Sequence, residues 1–203
     1  MENLINRVKN MILQPKATWE VIKTEDTSAP MVLTGYLFPL ALIPSIASFV
    51  GFGLIGFNTG LFGRAASIEW GISQSITTFA SAFIGVILSA WVISQLAPKF
   101  GATLTMNNAI KLVAYSYTSS LVAGIFYLIP ALTILVFLGG LYSLYLLYIG
   151  FRPMTGVSEE QNMAYFLVSL VAIIVVSVAL TFVVGALLTT FGLASYQSAN
   201  FFQ

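Results

Sequence analysis

The chain has 203 residues, 58% of them hydrophobic and 7% charged, with a formal net charge of +1. A soluble domain carries about 25% charged residues, so this composition, with a mean hydropathy of +0.94, points to an all-α polytopic membrane protein. Cysteine and histidine are absent, which excludes disulfides, thiolate metal sites and thiol nucleophiles and removes the commonest general base and metal ligand.

Residues 1–29 read as an interfacial arm. Met1 to Pro30 carries eight charged residues and lacks the apolar core of a secretory signal, so the arm is expected to belong to the mature protein. Leu4, Ile5, Val8, Met11 and Ile12 recur at helical spacing. Pro15 interrupts that helix and suits the first turn of a second, Lys16 to Lys23, with Trp19 and Ile22 on its apolar side. The basic residues beside these apolar ones predict an amphipathic helix at the headgroup level, with Arg7, Lys9, Lys16, Trp19 and Lys23 as contacts to the membrane surface or a partner. Packing of the apolar stripe on the transmembrane bundle is a second reading, compatible with the first.

Five apolar segments follow, at about 30–57, 72–96, 109–129, 131–150 and 162–190. A bilayer crossing takes roughly 20 apolar residues, so 30–192 is expected to be a five-helix transmembrane domain, followed by a short tail at 193–203. The first crossing contains Pro39 and Pro44. Proline removes a backbone donor and clashes with the preceding turn, so this helix should be kinked. A broken helix can mark a carrier's binding site, but no matching Pro-broken segment stands in the second half, and a kink that fits the bundle is the simpler reading. Gly51, Gly53, Gly56, Gly60 and Gly63 lead into a flexible loop ending near Arg64 to Glu69.

Small residues recur at a spacing of four in three crossings: Thr77, Ser81, Gly85 and Ser89 in the second, Ser116, Ser120 and Gly124 in the third, and Ser177, Thr181, Gly185 and Thr189 in the fifth. Such stripes let helix backbones approach closely where lipid offers no hydrophobic incentive to associate. They are read as packing, with a polar path through the bundle as the functional alternative.

Between Lys111 and Arg152 lie 40 residues without a single charge, twice what one crossing requires. Pro130 near the middle predicts a helical hairpin with its turn there and both charged ends on one side of the membrane. Lys111 is expected to snorkel to the interface. Thr105 to Asn108 supplies caps for the third crossing. Ser158-Glu159-Glu160-Gln161 fits a capping box at the fifth, which makes Glu159 and Glu160 caps rather than a metal-binding or catalytic pair. With five crossings, seven basic residues (Arg7, Lys9, Lys16, Lys23, Lys99, Lys111, Arg152) fall on one side and Arg64 alone on the other. The positive-inside rule then puts the N-terminus in the cytoplasm and the C-terminus outside.

No phosphate loop, GxSxG elbow or HExxH motif occurs. No Asp or Glu lies inside a predicted crossing, so the carboxylates that proton-coupled carriers and intramembrane aspartyl proteases need are missing. The chain is expected to be no enzyme and to hold no cofactor or metal. The arm, balanced by Glu20, Glu25 and Asp26, gives no nucleic-acid signature.

Asn3 to Trp19, in which a helix precedes Pro15, Lys16 and Trp19, resembles the opening of bacterial Yip1-domain proteins. Ala109 to Ser116, with Tyr115 and Ser116, is similar to the family's entry into its third helix. Ile129-Pro130, the run Tyr142 to Gly150, and Arg152-Pro153 with Gly156-Val157-Ser158 continue the match over nearly the whole chain. Ser119 departs from the pattern, standing where many members place a proline. The resemblance implies a five-helix integral protein of a bacterial plasma membrane with a cytoplasmic N-terminus. Eukaryotic members act in trafficking between endoplasmic reticulum and Golgi and bind small GTPases. They carry a long cytosolic extension that is missing here, so GTPase binding is not carried over.

These readings combine into an expected function: a non-enzymatic protein that organises the membrane or recruits partners at its cytoplasmic face. Lipids, a second copy or other membrane proteins are the expected partners. The alternatives are a carrier or channel for a lipid or small uncharged solute, and a subunit of a larger complex.

Overall fold

The computed structural model describes residues 3–58 and 64–190, with the backbone alone described at 57–58, 64–65, 130 and 180–190. The tail expected at 193–203, and Gly60 and Gly63 of the expected loop, lie outside the described residues. Two short helices, α1 (Leu4–Leu13) and α2 (Pro15–Thr24), form the arm. Five longer ones follow: α3 (Ala29–Ile55), α4 (Ile68–Phe100), α5 (Met106–Leu128), α6 (Thr133–Thr155) and α7 (Glu159–Thr190). All five are long and apolar enough to cross a bilayer. Between α3 and α4, β1 (Phe57–Asn58) pairs antiparallel with β2 (Arg64–Ala65).

Local chemistry sets the breaks. Asn3 caps α1 by accepting from the Ile5 N–H at 3.2 Å, and Pro15 occupies the first turn of α2, where a missing N–H costs nothing. In α3 the α-helical stretch Phe38–Ser48 is flanked by wider π-helical turns at Leu33–Leu37 and Phe49–Ile55. Pro39 cannot donate to the turn before it, and its ring crowds that turn's carbonyl; widening the preceding turn relieves both. Hydroxyls help satisfy nearby carbonyls: Ser45 Oγ donates to Ala41 O at 2.7 Å and Ser48 Oγ to Ser45 O at 2.9 Å. The second proline, Pro44, is buried against Gly124 of α5, where any β-carbon would overlap its ring. The irregular helix thus has a shaped neighbour.

α5 breaks for one residue at Tyr117, although position 119 is serine rather than proline. Ser116 Oγ donates back to Leu112 O at 2.7 Å and the Thr118 hydroxyl to Tyr115 O, both diverting backbone acceptors at the break. The hairpin between α5 and α6 turns at Ile129, with Pro130–Leu132 in a single 3₁₀ turn. α6 runs on through Arg152 and Pro153 and stops at Gly156, whose φ of 68° is the left-handed cap that glycine tolerates best.

The core lies toward the end of the bundle that carries the arm. Trp19, Tyr165 and Phe151 are its largest fully buried side chains. Phe151 meets Tyr165 edge to face at 4.6 Å, and Tyr165 donates to Ile93 O of α4 at 2.6 Å. The outward faces of the crossings are apolar instead of charged: Ile76, Ile84 and Trp91 on α4, Phe137 on α6 and Val171 and Val175 on α7 are all exposed. Lipid is the solvent that such a coat fits.

Candidate functional site

The arm docks into the groove between α5 and α6. Trp19 is the anchor: its Nε1–H donates to Leu146 O at 3.1 Å and its indole covers Gly150, where a β-carbon would overlap the ring. Tyr115 presents its edge to Trp19 at 6.5 Å and packs on Tyr36 at 4.6 Å. Tyr142 donates to Ile12 O at 2.7 Å, and the arm's neighbours on α6 extend from there to Pro153. That is about 16 Å of helix, roughly half a bilayer core. The arm is therefore built into the bundle.

This corrects the expected exposure of two arm residues. Arg7 is buried (6% exposed), ion-paired with the Glu25 carboxylate, and its guanidinium carbon lies 5.8 Å from the Tyr115 ring centre. Trp19 is buried under Gly150. Lys111 does not snorkel: it is 3% exposed, and its Nζ donates to Glu25 O at 2.7 Å. The physical reason is the end of α2. Its last carbonyls lack intrahelical partners, and cations suit a helix C-terminus. Asn107 completes this junction, accepting from the Ala29 N–H and donating to Thr27 O at 3.2 Å.

With Arg7 and Met11 turned inward, the opposite face of α1 shows Ile5 (72% exposed), exposed Lys9 and Leu13 (65% exposed) in one stripe. Lys16, Val21 and Lys23 are exposed on α2. Apolar residues alternating with lysines suit a membrane–water boundary.

Several positions that carried the family resemblance meet around Trp19. Pro15 starts its helix, Tyr115 and Gly150 wall it, and Arg152 and Pro153 line a groove beside it. The groove, about 360 Å³, lies between α2, α6 and α7 and is also lined by Lys16, Glu20, Tyr148, Glu159 and Asn162. Arg152 Nη1 is 3.2 Å from Glu159 Oε2, so Glu159 is an ion-pair partner as well as a first-turn residue of α7. Asn162 is a residue that sequence reasoning passed over. It is polar, the residue directly after the capping box, and nothing in the pattern signals its burial.

The small-residue stripes divide. Thr77 and Ser81 are exposed on α4, Gly85 lies near the Tyr117 hydroxyl, and Ser89 is buried. Ser89 joins Ser116, Ser120 and Ser143 around a partly open cavity of about 170 Å³ that Tyr117, Leu147 and Leu170 also line. Gly124 is used against Pro44. Ser177 is exposed, and the side chains of Thr181, Gly185 and Thr189 lie outside the described residues. Two of the cavity's hydroxyls are tied to backbone: Ser116 donates to Leu112 O, and Ser143 Oγ accepts from the Ser120 N–H at 2.9 Å.

Five apolar crossings with a helical arm locked between two of them define an integral membrane protein of bundle type. The Yip1 domain matches residues 9–181, and the chain belongs to the Yip1 domain family. It is similar to the "Inner membrane protein YohC" of Escherichia coli strain K12, 23% identical over 166 residues that cover 79% of this chain and 85% of that protein. The protein of the same name from E. coli O6:H1 (strain CFT073) matches to the same extent. No solved structure matches the chain.

Proposed function

We propose that the chain is a non-enzymatic inner-membrane protein that organises the surrounding bilayer and binds partners through its arm face, with the N-terminus cytoplasmic and the C-terminus outside. The observation that carries this reading is the locked arm, which holds the Ile5–Lys9–Leu13 stripe and the lysines of α2 in a fixed amphipathic surface. A surface that costs little ordering entropy on contact suits repeated engagement of lipid headgroups, a second copy or other membrane proteins. The seven basic residues assigned to the arm side support the orientation, and the likeness to an inner membrane protein of E. coli supports the membrane.

The cavity between Ser89, Ser116, Ser120 and Ser143 favours a second reading, a carrier or channel for a small uncharged solute. Its volume of about 170 Å³ is close to engineered cavities that admit a benzene-sized guest and is too small for a lipid. Against a path, Thr77 and Ser81 of the same stripe face outward. Vesicle swelling separates the two. Proteoliposomes placed in glycerol or urea should swell no faster than protein-free vesicles. Faster swelling that Ser120→Leu suppresses would overturn the organising role in favour of the carrier.

A further inference from the structure

We propose that the groove between α2, α6 and α7 binds one phospholipid with a phosphoethanolamine headgroup. Three independent observations meet there. The first is charge: the rim sets Lys16 and Arg152 against Glu20 and Glu159, two of each sign. A bare anion would face both glutamates and a bare cation both basic residues, whereas a zwitterion matches the two halves. The second is Asn162. It lines the groove, is 9% exposed, and its Oδ1 has no hydrogen-bond partner among the described residues. A buried amide oxygen without a donor is costly, so this position favours a bound molecule that supplies an N–H or O–H. The third is location. Trp19 and Tyr148 wall the groove, Met163 closes one side, and from Met163 the exposed apolar side of α7 continues through Leu167 and Val171. A headgroup held at the rim has an apolar surface along which its acyl chains run into the bilayer.

The assignment places the phosphate between Lys16 and Arg152 and the primary ammonium toward Glu20, Glu159 and the Asn162 oxygen. Arg152 and Glu159 already pair at 3.2 Å across the rim and are both exposed, so the headgroup opens an existing bridge and leaves no ion stranded. The chemistry is selective in two directions. A choline headgroup has no N–H for Asn162. A glycerol headgroup has no cation for the glutamates.

The test is lipid retention by the full-length protein, delipidated in mild detergent, re-supplied with a single dioleoyl phospholipid and weighed intact by native mass spectrometry. One phosphatidylethanolamine should stay bound, with about tenfold preference over phosphatidylcholine and phosphatidylglycerol, the ratio that one good polar contact supplies. Asn162→Leu should bring ethanolamine and choline lipids to within about twofold of each other, and Glu159→Gln should admit phosphatidylglycerol. Arg152→Gln, at an exposed position, should weaken all three. Helicity and melting temperature confirm that each variant is folded, and Lys16→Gln replaces any that is not. Equal retention of the three lipids, or retention of phosphatidylethanolamine unchanged by both Asn162→Leu and Arg152→Gln, would overturn the proposal. Displacement by free phosphoethanolamine at micromolar concentration would also overturn it, since the ligand would then be a soluble phosphate ester.

Discussion

Trp19 and Gly150 are 131 positions apart in the chain and mutually dependent in the structure. The indole occupies the space that a side chain at 150 would need, and its N–H uses a carbonyl of α6 one turn away. Both residues carried the family resemblance, but only the packing says why one must be large and the other absent. Gly150→Val should therefore cost about 1–3 kcal/mol through overpacking and push Trp19 from its hydrogen bond. Thermal unfolding of the full chain in detergent measures the first effect, and a red shift of tryptophan emission, as the indole meets water, reports the second. A variant with unchanged melting and emission would show that the Trp19–Gly150 contact does not hold the arm. Arg7 and Lys111 mark the limit of what was legible at this scale. Their sequence neighbours suggest surface cations, because the groups that satisfy them, a carboxylate 18 residues from Arg7 and a backbone carbonyl 86 residues from Lys111, leave no local pattern.

At the scale of elements, hydropathy was informative wherever a segment is apolar on all sides. It was least so where charges enter a continuing helix. α6 passes through Arg152 and Pro153 to Thr155 because backbone hydrogen bonds continue after the apolar signal has stopped. The four-residue spacing in α4 sets Thr77 to Ser89 in a row that winds slowly around the helix, so that Thr77 and Ser81 are exposed and only the Ser89 end is buried. The arm is the element whose docking depends most on one polar pair. Arg7→Met should destabilise the folded chain by about 3 kcal/mol, because the Glu25 carboxylate loses its partner in a mostly buried setting. Adding Glu25→Gln removes the stranded charge, and the double variant should recover a large part of that loss. Protease protection of the arm in detergent follows both variants. Additive losses, with no recovery in the double variant, would contradict a coupled lock.

At the scale of the molecule, composition alone indicates lipid as the solvent, and the fold bears out an all-helical bundle of five crossings. What composition cannot show is where polarity is concentrated inside such a bundle. Here it gathers at the arm end: the Arg7–Glu25–Lys111 junction, the zwitterionic groove and the Trp19 anchor. The outward stripe of α1 is the consequence with most bearing on function, since it fixes two apolar side chains and a lysine beyond the protein's own surface. The absence of cysteine makes that surface open to single-site labelling. An environment-sensitive fluorophore on Leu13→Cys in reconstituted vesicles should be quenched by nitroxide-bearing lipids and protected from iodide. Quenching of the Leu13 label by iodide, with no effect of nitroxide lipids, would place the stripe in water and contradict an arm that engages the membrane surface.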